Sequence, residues 1–370
     1  MLSRHRTASG DAAGAPKSPG LAAGRRTLVL LTLVALVGTP AGVLRAFCVG
    51  HSCDEPVNAS GEVPFCSLPD GVRARVAAGF REGRSPDLLA VTASESLVAS
   101  DEWPPVPWPS PSNDTRVPIA FWGTGVDAGA EIPPGTGVDD IAPTIEAMLG
   151  FARPHPDVRS GTAIEGVASG TPPRLVVEIV WIGRGSADVA RAAALEEVMA
   201  SGTSTLEGDT ASVPVDPAAV LTTIGTGGRP AQHGITATIV RDESGELRRA
   251  WGPNAPVHVI ATLADDLDEE LRQEPVIGMV GARRSYRGAV AGDWYVDVDR
   301  DRFVKTERGR EARDALSLLD SSFGDDDVPD LAVVAVESGP ERLAATMRAV
   351  TRRAQKVSRG SAAFVFTATG

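Results

Sequence analysis

Cysteine is confined to one short stretch of this chain of 370 residues. Cys48, Cys53 and Cys66 are the only three, and none follows them. Covalent cross-links are thereby excluded for most of the chain, which must be held by packing. Lysine is also scarce, at Lys17, Lys305 and Lys356 alone, so arginine carries nearly all the positive charge. A net charge of −12 and an aromatic content of 5% leave neither a basic surface nor many stacking rings. Together they exclude nucleic acid as a partner, because phosphate binding needs clustered cations. A Walker lysine loop and a G-x-S-x-G elbow are both absent.

The N-terminus reads as a targeting segment. Residues 1–26 carry Arg4, Arg6, Lys17, Arg25 and Arg26 against a single acid, Asp11. Thr27 to Leu44 then run without charge. A basic flank before an apolar run of about 18 residues predicts export, as a signal peptide or as a membrane anchor. Residues 1–47 are therefore set apart from the fold, with the membrane reached through residues 27–44 if the segment is retained. The cysteines just beyond it agree with an oxidising compartment, with one disulfide, one thiol left over and the pairing open. Cys48, His51 and Cys53 lack a fourth ligand and match no zinc module, so they are read as structural.

Hydrophobic residues make up 42% of the chain, enough to bury a core. Leu68–Arg81 has helical periodicity, Leu88–Thr92 reads as a strand, and the prolines between Trp103 and Pro111 block regular structure. Val117–Trp122 predicts a strand and Asp139–Leu149 a helix. A Pro/Gly-rich passage from Pro154 to Pro173 separates a first block, 48–161, from a second, 174–370. In the second block, Leu175–Ile182, Gly234–Val240, Val276–Val280, Leu331–Val336 and Ala362–Thr367 predict strands. Ala187–Ala200, Ala218–Ile224, Thr262–Leu271 and Glu341–Val357 predict helices. Several strands are continuous apolar runs, as expected where helices cover both faces. The alternation predicts an α/β fold, a mostly parallel sheet sandwiched by helices, with 48–370 as one domain.

Two local imitations of known motifs fail on their residues. Gly183-Arg-Gly185 follows a strand and opens a helix, but Asp188 stands where a dinucleotide turn needs glycine. Asp297, Asp299 and Asp301 begin like a calcium loop, but Arg302 replaces its glycine and Arg308 its bidentate glutamate.

Two longer stretches resemble the alkaline phosphatase superfamily, in particular its type I phosphodiesterase/nucleotide pyrophosphatase and sulfatase-like branches. Asp114-Thr-Arg-Val-Pro-Ile-Ala-Phe-Trp-Gly123-Thr-Gly-Val and Asp139-Asp-Ile-Ala-Pro-Thr-Ile-Glu-Ala-Met-Leu-Gly150 are similar to the family's late strand, "GPGV" turn and "DIAPTLLALLG" helix. Leu175 to Gly183 and Thr222-Thr-Ile-Gly-Thr-Gly-Gly-Arg-Pro230-Ala-Gln-His-Gly-Ile235 are similar to its early "VVVIDGL" strand and "ATLLTGRYPxxHGI" turn. Pro329-Asp-Leu-Ala-Val-Val and Phe364 to Gly370 resemble its "PDLLLV" strand and the approach to "VVVTSDHG". The order of the pieces is reversed, which implies a circular permutation of one domain and not two partial copies, because the pieces are complementary.

The resemblance implies a two-metal hydrolase, usually zinc-dependent, with a Thr or Ser nucleophile. The ligand positions do not carry the ligands. Ile182 stands for the first metal Asp, the nucleophile position falls near Pro217, and Thr367-Ala-Thr-Gly lacks the Asp-His pair. His155 and His258 read as structural, and His233 as a turn residue. The leading expectation is therefore an exported or membrane-anchored pseudoenzyme that binds a protein partner or a phosphate-containing small molecule, with no metal site. The alternative is a phosphomonoester or phosphodiester hydrolase with a rearranged site or with ligands from a partner chain. Its candidates are Thr222, Thr223, Thr226 and His233, with Asp293 and the Asp297–Asp301 run, and a phosphate cradle at Gly225, Gly227 and Gly228. Divalent zinc would be its cofactor.

Overall fold

The central strands of this chain are buried on both faces, and they set the architecture. The computed structural model describes residues 66, 68–87, 89, 115–190, 192–251 and 257–370. The basic N-terminus, the apolar run 27–44, Cys48, Cys53, the strand expected at 88–92 and the prolines of 103–111 lie outside the described residues. Cys66 is described and exposed. The described elements belong to the compact unit Phe65–Gly370.

The elements follow in the order α1 (Asp70–Gly79), β1 (Arg116–Gly123), a 3-10 turn (Val138–Asp140), α2 (Ile141–Leu149), β2 (Leu175–Trp181), α3 (Ser186–Val189), α4 (Ala193–Met199), β3 (Thr203–Asp209), α5 (Pro217–Thr226) and α6 (Pro230–His233). A hairpin comes next, β4 (Ile239–Arg241) and β5 (Leu247–Arg249), then α7 (Leu263–Glu270), β6 (Ile277–Gly281) and a π-helical turn (Arg287–Ala291). The chain continues through β7 (Arg302–Lys305), α8 (Glu311–Leu319), β8 (Asp330–Val336), α9 (Pro340–Val357) and β9 (Ala362–Ala368).

The fold is α/β. Seven strands form one mixed sheet in the order β3-β1-β9-β2-β8-β6-β7. From β9 to β7 all pairings are parallel, and β1 runs antiparallel to both β9 and β3. Strand β1, from the first block, thus lies directly beside β9, the last strand, and both blocks build one sheet. Strands β2, β8 and β9 have every residue buried. Their Val, Ile and Phe content follows from this, since a parallel strand under two helical layers has no wet face.

Register assigns the faces. Gly278 pairs with Ala332, and Ala332 with Val177. A Cβ on Gly278 would lie 2.5 Å from Phe323 and 3.1 Å from Leu318, so this face packs on α8. Helix α9 packs beside α8 and α4 in the same layer. It presents Leu343, Ala344, Met347, Val350 and Ala354 at i, i+3, i+4 spacing, and all are buried. Glu178, Val333 and Met279 share the opposite face, over which α5 and the π-helical turn pack on each other.

Most expected elements are present, with two corrections. The helix expected at 187–200 is split into α3 and α4, with Ala192 at φ −131° and ψ 80° between them. The strand expected at 234–240 is reduced to β4, because Gly234 sits at φ +84° as the cap of α6 and the Ile235 N–H turns back to the His233 ring. Among the described residues, no helix is long and apolar enough to cross a membrane.

Candidate functional site

Helix α5 positions the residues that the sequence singles out. All ten of its residues are buried, so it has no polar face. Its hydroxyls fold back onto its own backbone: Thr222 donates to Ala218 O at 2.7 Å, Thr223 to Ala219 O at 3.0 Å, and Thr226 to Thr222 O at 2.6 Å.

The structure brings Thr223 and His233 together, with Oγ1 and Nε2 3.1 Å apart. The roles in this contact follow from the other bonds. Nδ1 of His233 accepts the Ile235 N–H at 3.1 Å, so in the neutral ring Nε2 carries the proton. Nε2–H therefore donates to Thr223, whose own proton goes to Ala219 O. Burial, and then His258 and Arg81, hold the His233 pKa well below the ordinary value, so the ring stays neutral. A general base would need a free lone pair aimed at the hydroxyl proton. Here that lone pair is given to the backbone, and the hydroxyl proton is already bonded.

The three glycines serve packing. A Cβ on Gly225 would stand 2.3 Å from Ala289 O, so the glycine lets the π-helical turn lie against α5. Gly227 closes α5 at φ +72°, and its N–H reaches Thr223 O at 2.9 Å. A Cβ on Gly228 would lie 2.7 Å from Ile260, and its N–H is bonded to Thr226 Oγ1 at 3.1 Å. The amides of Gly227 and Gly228 are thus committed and form no open anion cradle.

Of the acids named from sequence, Asp297 and Asp301 hold loops, and Asp293 bonds through its backbone N–H. Asp301 accepts the Ile277 N–H at 3.2 Å and the Asp297 N–H at 3.0 Å, and pairs with Arg287 at 3.2 Å. Asp293 and Trp294 give their N–H groups to Asp265 at 2.9 and 2.8 Å. His155 is exposed, at φ 54°. His258 is buried beneath Trp294, with Nε2 3.7 Å from Asp265. Among the described residues, no three His, Cys, Asp or Glu side chains are grouped to hold a metal ion.

An open crevice of about 420 Å³ lies at the N-terminus of α5, beyond the carboxyl end of β6. Asp216, Thr238, Arg249, Trp251, Arg283 and Tyr286 are among its lining residues. In open α/β sheets this is where ligands bind. Tyr286 donates to Glu337 at 3.1 Å, and burial followed by that carboxylate raises its pKa. Arg249 and Arg283 are exposed at the rim.

The floor decides what this crevice can do. Pro217 is the first residue of α5 and has no N–H. Asp216 caps the helix, taking the Ala218 N–H at 2.8 Å and the Thr238 hydroxyl at 3.0 Å. Burial raises the Asp216 pKa, opposed by these hydrogen bonds. The seat that a helix N-terminus offers an anion is therefore filled by the chain's own carboxyl group. Among the described residues, no second carboxylate or histidine joins it in the crevice lining, and Ile182 closes the end of β2 as a buried apolar residue. These residues do not fit a two-zinc centre.

Sequence reasoning passed over three buried polar groups. Asp139 ties α2 to the α5–α6 turn, accepting Ser160 Oγ at 2.7 Å and pairing with Arg229 Nε at 3.0 Å. Asp266 pairs with Arg153 at 2.6 Å and Arg159 at 2.9 Å in a buried triad. Glu178 sits alone in the middle of β2, with Oε1 lacking a partner. Burial pushes its pKa up to about 8. Only Glu178 leaves a plain mark in the sequence, as a single acid inside an apolar run. No family, no curated protein and no solved structure matches the chain.

Proposed function

We propose that this chain is an exported or membrane-anchored protein, alkaline-phosphatase-like in fold and permuted, that has lost hydrolysis and acts by binding. The observation that carries the reading is the self-capped N-terminus of α5, where Asp216 occupies the place of an anionic substrate and Pro217 that of the nucleophile. The neutral, backbone-bonded Thr223–His233 pair supports it, since neither member is free to move a proton. Permutation is supported by the pairing of β1 with β9, which joins the two blocks as complementary parts of one sheet. The ligand is a phosphate-containing small molecule. Its anionic group meets Arg249 and Arg283 at the rim, and its organic part lies against Trp251 and Tyr286.

Two measurements test this. The purified full chain is loaded with zinc and dialysed, and its metal content is measured together with hydrolysis of p-nitrophenyl phosphate. The expected result is no retained zinc and no turnover. About two equivalents of zinc with turnover would overturn the reading. Calorimetric titration with phenyl phosphate is expected to show binding that is lost in an Arg249→Glu, Arg283→Glu double variant. Equal binding by that variant would remove the crevice from the proposal.

A further inference from the structure

A second crevice, of about 400 Å³, opens beside α7 and is lined in part by His155, Val158, Arg159, Glu269, Trp294 and Tyr295. Its chemistry differs from that of the first. The Trp294 ring lies flat on the ring of His258, with centroids 5.3 Å apart and planes 6° apart. His258 is buried, while Trp294 is 45% exposed. One face of the indole is therefore covered and the other is left to solvent. The backbone of Trp294 is pinned by its N–H bond to Asp265 at 2.8 Å. An exposed tryptophan held rigid from behind needs no ordering when a ligand arrives.

The charge around this ring is negative. Among the described residues, Arg159 is the one cationic side chain in the lining, and it is fully engaged. It donates to Thr226 O, Pro154 O, His155 O and Ala261 O, and it pairs with Asp266. Glu269 makes no ion pair among the described residues and lies beside the Tyr295 hydroxyl. The crevice thus offers an open indole face, a second aromatic ring and an uncompensated carboxylate. Anions are disfavoured by Glu269, and a neutral apolar ligand leaves that carboxylate unused.

We propose that this crevice is a binding site for an organic cation, an alkylated ammonium group seated on the Trp294 face with Glu269 as its counter-charge. The site is independent of the phosphate crevice and of the alkaline-phosphatase-like reading.

The test is calorimetric titration of the full chain with choline chloride, with sodium chloride as the ionic-strength control. Its neutral isostere, 3,3-dimethylbutan-1-ol, is titrated in parallel. Choline is expected to bind at least about tenfold more tightly than the isostere. Trp294→Leu keeps apolar bulk over His258 and removes the ring, and is expected to cost about tenfold in choline affinity. Glu269→Gln changes an exposed side chain without disturbing the stack, and is expected to weaken choline several-fold while leaving the isostere unchanged. Equal binding of choline and the isostere would overturn the proposal by showing a merely apolar pocket. Failure of choline to bind at about 50 mM, or full affinity in Glu269→Gln, would overturn it as well.

Discussion

Replacing Glu178 should change the pH dependence of stability more than stability itself. Its carboxyl group is buried in the central strand β2, opposite Val333 and Val365, and among the described residues no cation pairs with it. Burial raises its pKa from 4.5 to about 8 in the folded chain. Between those values the folded state holds a proton that the unfolded state has released, so unfolding becomes easier as pH rises. The loss begins near the unfolded pKa and levels off above the folded one. A shift of about 3.5 units corresponds to about 5 kcal/mol at its limit. Between pH 5 and pH 8 the change is on the order of 3–4 kcal/mol. Asp268, raised to about 8, and Asp330, raised to about 7, slope in the same direction, so the wild-type curve alone cannot isolate Glu178. The difference between wild type and Glu178→Gln does. The neutral amide and the protonated acid are both buried with unsatisfied polar atoms, so their costs largely cancel while the acid stays protonated. Urea unfolding at pH 5 and pH 8 should therefore find the variant close to the wild type at pH 5 and the stronger protein at pH 8. A difference between wild type and variant that moves by less than about 1 kcal/mol over this range would refute the assignment of a buried, protonated acid.

Three further outcomes follow from the packing. Gly225→Ala places a Cβ 2.3 Å from Ala289 O, a contact with backbone that cannot rotate away, and should cost about 1–3 kcal/mol in urea unfolding. Arg153→Met leaves the buried Asp266 paired with Arg159 alone and should cost about 1–3 kcal/mol through the lost charged hydrogen bonds, read in the same assay. Asp216→Ser keeps a helix cap while removing the carboxyl group, so its stability should fall by less than about 1 kcal/mol. Its affinity for inorganic phosphate, measured by calorimetry, should rise above that of the wild type, and an unchanged affinity would count against Asp216 as the occupant of the anion seat.

The strands were legible wherever burial is two-sided. Leu175–Trp181, Leu331–Val336 and Ala362–Ala368 are apolar throughout apart from Glu178 and Thr367, and such runs have one good solution in an α/β fold. Strand β3 was not legible, because Thr203–Asp209 forms the sheet edge and carries a half-exposed, polar pattern. Four-residue β7 lies at the other edge, and only its two central residues are half-buried. The turn after α5 was legible through Gly227, Gly228, Pro230 and Gly234, whose conformations local rules require. The two crevices were not. One joins the start of α5, the β4–β5 hairpin and the segment after β6, and the other joins the loop before residue 160 to Trp294. Neither has a sequence period, because the groups meet only when the sheet is assembled. The stack of His258 under Trp294 is of the same kind.

Thr222, Thr223 and His233 show how packing alone can select the residues of such a turn. A wholly buried α5 needs small residues, and a buried hydroxyl must bond to something. Threonine satisfies both demands by donating to the carbonyl four residues back, as three threonines do here. A histidine ending the next short helix likewise fills its two nitrogens with Ile235 N–H and Thr223 Oγ1. Packing and hydrogen-bond satisfaction thus account for each of these residues where it stands. Glu178 is the contrary case, a buried acid in β2 whose Oε1 no packing partner satisfies.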